Sequence, residues 1–209
     1  MADGYSAYEK LAKEGGGFAL VHCWAHVRRK FVEAEPFFPE ESGPMIALIG
    51  KLYAVERKVP RAGPEASEQA RQDEAALRLT LRHERSRPVV REIQNLLMEL
   101  KGSILPQSSL GKAVAYTMHL WTGLTAFLNN GVVPLDNNPA ERALRGVVVG
   151  RKNHYGSKSL RGTQVAALFY TLFETAKLCG EEPKAYVRRA ALNAICNPGT
   201  VTLPEALKD

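Results

Sequence analysis

Apolar positions recur at helical spacing along most of the chain. Tyr5, Tyr8, Leu11 and Ala12 lie three and four residues apart, on one face of a helix, and Gly15-Gly16-Gly17 supplies a stop that tolerates positive φ. Phe18-Ala-Leu-Val-His-Cys23 changes the pattern. It is a short apolar run bounded by glycine, which predicts a buried strand, and it is the best strand candidate in the sequence. Trp24, Val27 and Phe31 return to helical spacing, with Arg28, Arg29 and Lys30 on the remaining faces, until Pro36 and Pro39 close the helix.

Residues 42–101 are helical and rich in charge. Met45, Leu48, Ile49, Leu52 and Val55 make one stripe, and Leu77 and Leu81 make part of a second. Val89, Ile93, Leu96, Leu97 and Leu100 make a third, with breaks at Pro60 to Pro64 and at Pro88. The pattern predicts a helical insert of two or three antiparallel elements, with charges of both signs on solvated outer faces. Leu110, Val114, Leu120, Trp121, Leu124 and Phe127 predict one longer amphipathic helix ending near Asn129-Asn130-Gly131. Val165, Leu168, Phe169, Leu172, Phe173 and Ala176 predict a strongly apolar helix, Ala185 to Ile195 a last one, and Pro198 onward an irregular tail.

Composition narrows the class. A chain of 209 residues with 45% hydrophobic content can bury one large core or two small ones. No apolar run approaches about eighteen residues, and Met1-Ala-Asp-Gly-Tyr does not open a secretory leader. The expectation is a soluble, cytoplasmic protein without a membrane partner. Cys23, Cys179 and Cys196 are odd in number and widely spaced, which predicts reduced packing residues. His22-Cys23-x-x-His26 lacks the second ligand pair that tetrahedral zinc needs, so it reads as the end of a buried strand.

Charge points elsewhere. The chain carries 28 Lys and Arg against 22 Asp and Glu, a net charge of +6. Between Glu141 and Glu174 there is no acid, and Arg142, Arg145, Arg151, Lys152, Lys158 and Arg161 fall in that gap. Those cations equal the whole net charge, so the basicity is one local patch of the kind that attracts phosphate. Ahead of it, Asn138 is a good N-cap, Pro139 suits the first helical position and Glu141 falls at the third, a capping-box arrangement. Ala140, Ala143, Leu144 and Val147 make an apolar face for close packing, and Asn138, Glu141, Arg142 and Arg145 share the opposite one. Arginine forks bind phosphate oxygens, and a carboxylate among them can hold a divalent metal on the same phosphate. By spacing alone, Glu141 is better explained as a cap or as a partner of Arg145, and Asp3 as a plain N-cap.

These blocks resemble the insertion sequence 66 family of transposases. Asp3-Gly-Tyr-x-Ala-Tyr8, His22-Cys-Trp-Ala-His-Val-Arg-Arg-Lys-Phe31, Leu52-Tyr-Ala-Val-Glu56, Asp136-Asn-Asn-Pro-Ala-Glu-Arg-Ala-Leu-Arg145, Gly150-Arg-Lys-Asn153 and Gly156-Ser157 follow in the family's order. The resemblance implies a transposase of the Asp-Asp-Glu type: a mainly α chain with a short β remnant, a partial ribonuclease-H-like core interrupted by a helical insertion. On that reading residues 1–35 are partial core (helix, strand, helix) and 36–108 the insertion. Residues 109–195 return to the core with the third acid and the basic loop, and 196–209 are a tail. Asp3 looks like the second acid and Glu141 like the third, both ligands of magnesium. Arg142, Arg145, Arg151, Lys152, Asn153 and Lys158 look like contacts to double-stranded DNA, at transposon ends or target.

The family's first acid and its DNA-recognition region have no counterpart in this sequence. The expectation is therefore a C-terminal fragment that is inactive alone, with an exposed apolar patch and a tendency to join itself or the full-length enzyme. The alternative is a non-catalytic DNA-binding or regulatory module.

Overall fold

The structure, a computed structural model, describes residues 1–4, 6–14, 17–63, 65–153 and 158–204. It divides into two compact units, Met1–Asn138 and Pro139–Asp209. The first holds a conventional core. The helix α1 (Ser6–Lys13) precedes α2 (Trp24–Ala34), which buries Trp24, Val27, Phe31 and Ala34 along a single stripe. In α3 (Pro39–Glu56), Pro39 opens the helix where its missing N–H costs nothing, and Glu40 and Glu41 sit at the positive end of the dipole. Met45, Ile49, Leu52 and Val55 are its buried stripe, as the spacing predicts.

The insert departs from expectation at its second stripe. Every residue of α4 (Glu68–Leu81) is exposed or half-buried, and Leu77 keeps 43% of its surface. Nor does Pro88 separate two elements. A π-helical turn, Arg82–Ser86, joins α4 to α5 (Arg87–Ser103), and Pro88 lies in the first turn of α5. A proline ring clashes with the carbonyl four residues back and donates no hydrogen bond. The wider turn shifts the ladder by one residue just ahead of it, which lets the helix continue. On α5 the third stripe is buried at Val89, Val90, Ile93, Leu97 and Leu100.

The long helix expected over 110–127 is broken. Ser108 caps α6 (Ser109–His119), its Oγ accepting from Gly111 N at 2.9 Å. The backbone turns at Leu120, and α7 (Trp121–Thr125) follows, then a 3-10 turn, Ala126–Asn129. Leu110, Val114, Leu120, Leu124 and Phe127 still reach the core formed with α2, α3 and α5. Residues 18–23 are corrected too. Among the described residues extended chain pairs only as an isolated parallel bridge, Ala2 with His22, and Phe18 is 44% exposed. A strand needs a partner ladder along its length, and here the partner is one residue long.

The second unit contains α8 (Asn138–Asn153), whose first residue closes the first unit, then α9 (Leu160–Leu178) and α10 (Pro183–Cys196). Ser159 Oγ caps α9 through Gly162 N at 3.0 Å, and Glu182 caps α10 through Ala185 N at 2.7 Å. The irregular tail is held by Tyr186, whose hydroxyl donates to Thr202 O at 2.9 Å. Of this unit's described residues only Ala176, Tyr186 and Pro204 are buried. All three cysteines are free, but Cys196 is exposed and so is not a packing residue. Among the described residues no helix is long and apolar enough to cross a membrane.

Candidate functional site

Asp3 belongs to the first unit and Glu141, with the cations, to the second. Asp3 is exposed and directly follows the Ala2 bridge residue. Ala2 N donates to Val21 O at 2.9 Å, and the Tyr116 hydroxyl on α6 donates to Asp3 O. Burial first, then the Asp3 charge, push the Tyr116 phenol up to about 12. Gly4 turns the chain at φ +89, where a Cβ would meet Leu120 at 3.1 Å. The remaining supports come from the same place: His22 N donates to Gly123 O at 3.2 Å and Trp24 N to Leu135 O at 3.0 Å. Val21 and Tyr116 thus hold the chain at Ala2 and Asp3, and the bonds of His22 and Trp24 tie that corner to Gly123 and to Leu135, next to Asp136.

His22 lies under this corner, with its Nδ1 3.4 Å from Ala2 O. Burial lowers its pKa, opposed by the Ala2 carbonyl and by Glu9 and assisted by His119. A histidine depressed in the folded state binds its proton more readily when unfolded. Its contribution to stability is therefore complete above the unfolded value of about 6.5 and is lost as pH falls through the folded value. Urea midpoints of the first unit are expected to fall between about pH 7.5 and 5.5, with a shallower slope in His22→Gln. An unchanged slope in that variant would remove His22 as the cause.

Asp136 starts α8. Its carboxylate accepts the Asn138 N–H at 3.1 Å, so the acid two residues before Asn138 takes the first helical donor. Burial and the neighbouring Asp136 carboxylate hold the Tyr53 phenol far above its usual range. Burial likewise raises the Cys23 thiol, against backbone N–H groups of Asn137, His26 and Ala25. Among the described residues no group of His, Cys, Asp or Glu could hold a metal ion as a cluster, which includes the His22, Cys23 and His26 set.

On α8, Glu141 sits in the first turn, at the positive end of the helix dipole. Glu141, Arg145 and Lys152 recur at four and seven residues and form one exposed stripe, with Arg142 beside it and also exposed. Arg151 departs from them. It lines an apolar groove of about 480 Å³ with Ala143, Leu144 and Val147, facing Thr163, Ala166, Ala167, Tyr170, Thr171 and Glu174 of α9. Gly150 is inside the helix. Lys158 is exposed ahead of α9, and Asn153 ends α8. The side chain of Asn153 and residues 154–157 lie outside the described residues. The apolar face of α8 is open rather than packed, with Leu144 61% exposed.

A set of cations escaped the sequence reading. Arg82 on the π turn is completely buried, and its Nε and Nη2 donate to Glu56 at 2.7 and 2.8 Å. Its Nη1 donates to Phe127 O at 3.0 Å and Asn130 O at 2.8 Å, while Arg78 Nη1 donates to Gly131 O at 2.9 Å. These side chains satisfy carbonyls of the 3-10 turn and of the segment leading toward Leu135. The four-residue spacing of Arg78 on α4 and Arg82 on the π turn was visible, but charge on a polar helix carries no mark of burial.

The family described as Transposase IS66 family matches residues 1–165. Three relatives from Sinorhizobium fredii (strain NBRC 101917 / NGR234) align over most of the chain. The uncharacterized protein y4jD is 33% identical over 213 residues, 99% of this chain and 40% of that protein. The uncharacterized proteins y4hP and y4qI are 31% and 30% identical, over 90% and 88% of this chain and 35% and 33% of their own lengths. The chain therefore spans two fifths or less of these curated relatives. No solved structure matches it.

Proposed function

The chain belongs to the transposase IS66 family, and from that premise we propose that it supplies part of the DNA-handling surface and metal-holding acids of an Asp-Asp-Glu transposase. The family match extends from Asp3 through Lys158, so it covers every residue assigned a role. The observation that carries the reading is the exposed stripe of Glu141, Arg145 and Lys152, flanked by Arg142. Three cations bordering one carboxylate, in a net-positive segment, suit a phosphodiester whose charge is shared with a divalent cation. Asn153 and Lys158 extend the same contact to the DNA backbone.

Asp3 and Glu141 are the proposed magnesium ligands. Both are exposed carboxylates, hard oxygen donors of the kind magnesium takes, which fits the group. Magnesium bound there would activate a water or a 3′-hydroxyl toward phosphorus. The chain's own part is to present the acids and to neutralise phosphate with Arg142, Arg145 and Lys152. Cleavage and strand transfer are proposed for the longer protein, with a partial ribonuclease-H-like core as the architecture around Asp3.

Duplex DNA titrated against the chain over a salt series tests the reading. Arg145→Ala and Lys152→Ala should each flatten the slope of log affinity against log salt by about one. Without magnesium, Glu141→Gln should bind more tightly, because a negative charge facing phosphate is gone. With magnesium that advantage should vanish, because the ion bound by wild type cancels the same charge. Salt-independent binding, or an advantage for Glu141→Gln untouched by magnesium, would contradict the proposal.

A further inference from the structure

The groove between α8 and α9 is an open, largely apolar surface. Its α9 side is Thr163, Ala166, Ala167, Tyr170, Thr171 and Glu174, a run of three- and four-residue steps that is the seam of a helical bundle. Its α8 side is Ala143, Leu144 and Val147, small and apolar, with Leu144 61% exposed. Convergent polar groups of the sort that fix a small ligand are not what this lining offers. Instead it has the length and periodicity of a helix face.

α9 also carries apolar residues away from this seam, with Leu168 56% and Phe169 41% exposed. A helix apolar on all sides belongs in an interior. The charges at the groove say what completes it. Arg151 lies two residues before the end of α8, near the connection to α9, whereas Glu174 lies toward the far end of α9. Glu174 pairs with Lys177 one turn on, Nζ to Oε1 at 2.6 Å, and a two-fold axis through the middle of the groove would set Arg151 of each copy opposite the Glu174 carboxylate of the other, as a second partner for it. One face serves both partners, which is the requirement of an isologous interface.

We propose that the α8–α9 groove is a self-association surface: two copies of the chain join their grooves into a four-helix bundle, closed at each end by Arg151 and Glu174 across the pair. Ala143, Ala166 and Ala167 allow the helices to approach, and Leu144, Val147 and Tyr170 fill the seam. The stripe of Glu141, Arg145 and Lys152 stays outside this contact, because helical spacing puts it on the other side of α8. Each dimer would then present two such stripes. This inference stands independently of DNA binding.

Sedimentation equilibrium of the full chain over a concentration series tests it. Wild type should be a reversible dimer. Leu144→Asp, which removes an exposed side chain and no core, should keep its helical circular dichroism and raise the dimer dissociation constant about thirtyfold or more. Arg151→Glu should raise it about tenfold by opposing Glu174 at both ends, and Arg151→Glu with Glu174→Arg should return it toward wild type. A wild type that stays monomeric, a dimer insensitive to Leu144→Asp, or a charge swap that restores nothing would each overturn the proposal. A monomer would leave the groove to unrelated chain, and an unaffected dimer would place the contact elsewhere.

Discussion

Arg82→Ala is expected to destabilise the Met1–Asn138 unit by about 3–5 kcal/mol. The guanidinium is fully buried, bidentate to Glu56, bonded to the Phe127 and Asn130 carbonyls and 5.1 Å from the centre of the Phe127 ring. Alanine leaves a carboxylate and two carbonyls short of a donor in a place water reaches poorly. Arg78, whose Nε is 3.6 Å from Glu56, offsets only part of this, because it is already engaged with Gly131 O and Glu74. Removing both charges, as in Arg82→Met with Glu56→Leu, should cost less than the sum of the singles, since no orphan carboxylate remains. The carbonyls of Phe127 and Asn130 stay unpaired, so the double variant should still fall below wild type. Both tryptophans, Trp24 and Trp121, lie in this unit, so fluorescence during urea unfolding reports it separately. A loss below about 1 kcal/mol for Arg82→Ala would show that the buried pair adds little beyond its replacement by water.

Trp24→Ala should cost a similar amount, about 3–5 kcal/mol. Its ring is fully buried at the start of α2 and meets Trp121 edge-on, with centroids 6.3 Å apart and planes at 79°. Nε1 donates to Leu124 O at 2.8 Å, which ties the start of α2 to α7 just past the break at Leu120. Alanine opens a cavity and leaves that carbonyl without its donor, two costs that add because neither can relax the other away. Trp24→Phe separates them: it keeps most of the packing and loses the hydrogen bond, so it should cost about 1–2 kcal/mol. Equal losses for phenylalanine and alanine would mean that packing at this position contributes almost nothing. The backbone of the same residue bears on the candidate site, because Trp24 N holds Leu135 O immediately ahead of Asp136.

What was legible from residues alone was whatever depends on near neighbours. The stripes of α2, α3 and α5 could be read because a helix repeats every few residues, so burial of one face shows in the order of side chains. The start of α8 could be read for the same reason: proline and asparagine act on the backbone beside them. Motif order placed the chain in its family, and the local excess of cations marked α8 and the residues after it.

Tertiary structure decided what depends on partners far along the chain. Residues 18–23 have the composition of a strand, yet strand formation is a property of a pair, and only Ala2 pairs with them. Leu77 and Leu81 looked like a core stripe and are not buried, while Arg82, one residue beyond, looked like surface and is wholly buried. No local rule separates those cases, because the Arg82 environment is assembled from Glu56, Phe127 and Asn130. Likewise Arg151 sits in the same basic run as Lys152, and a helical step of one residue sends them to different faces. Sequence by itself thus determined which segments are helical and where positive charge concentrates. The fold decided which of those charges face a groove, which face solvent and which are sealed inside, because burial is set by what packs across and not by what lies alongside.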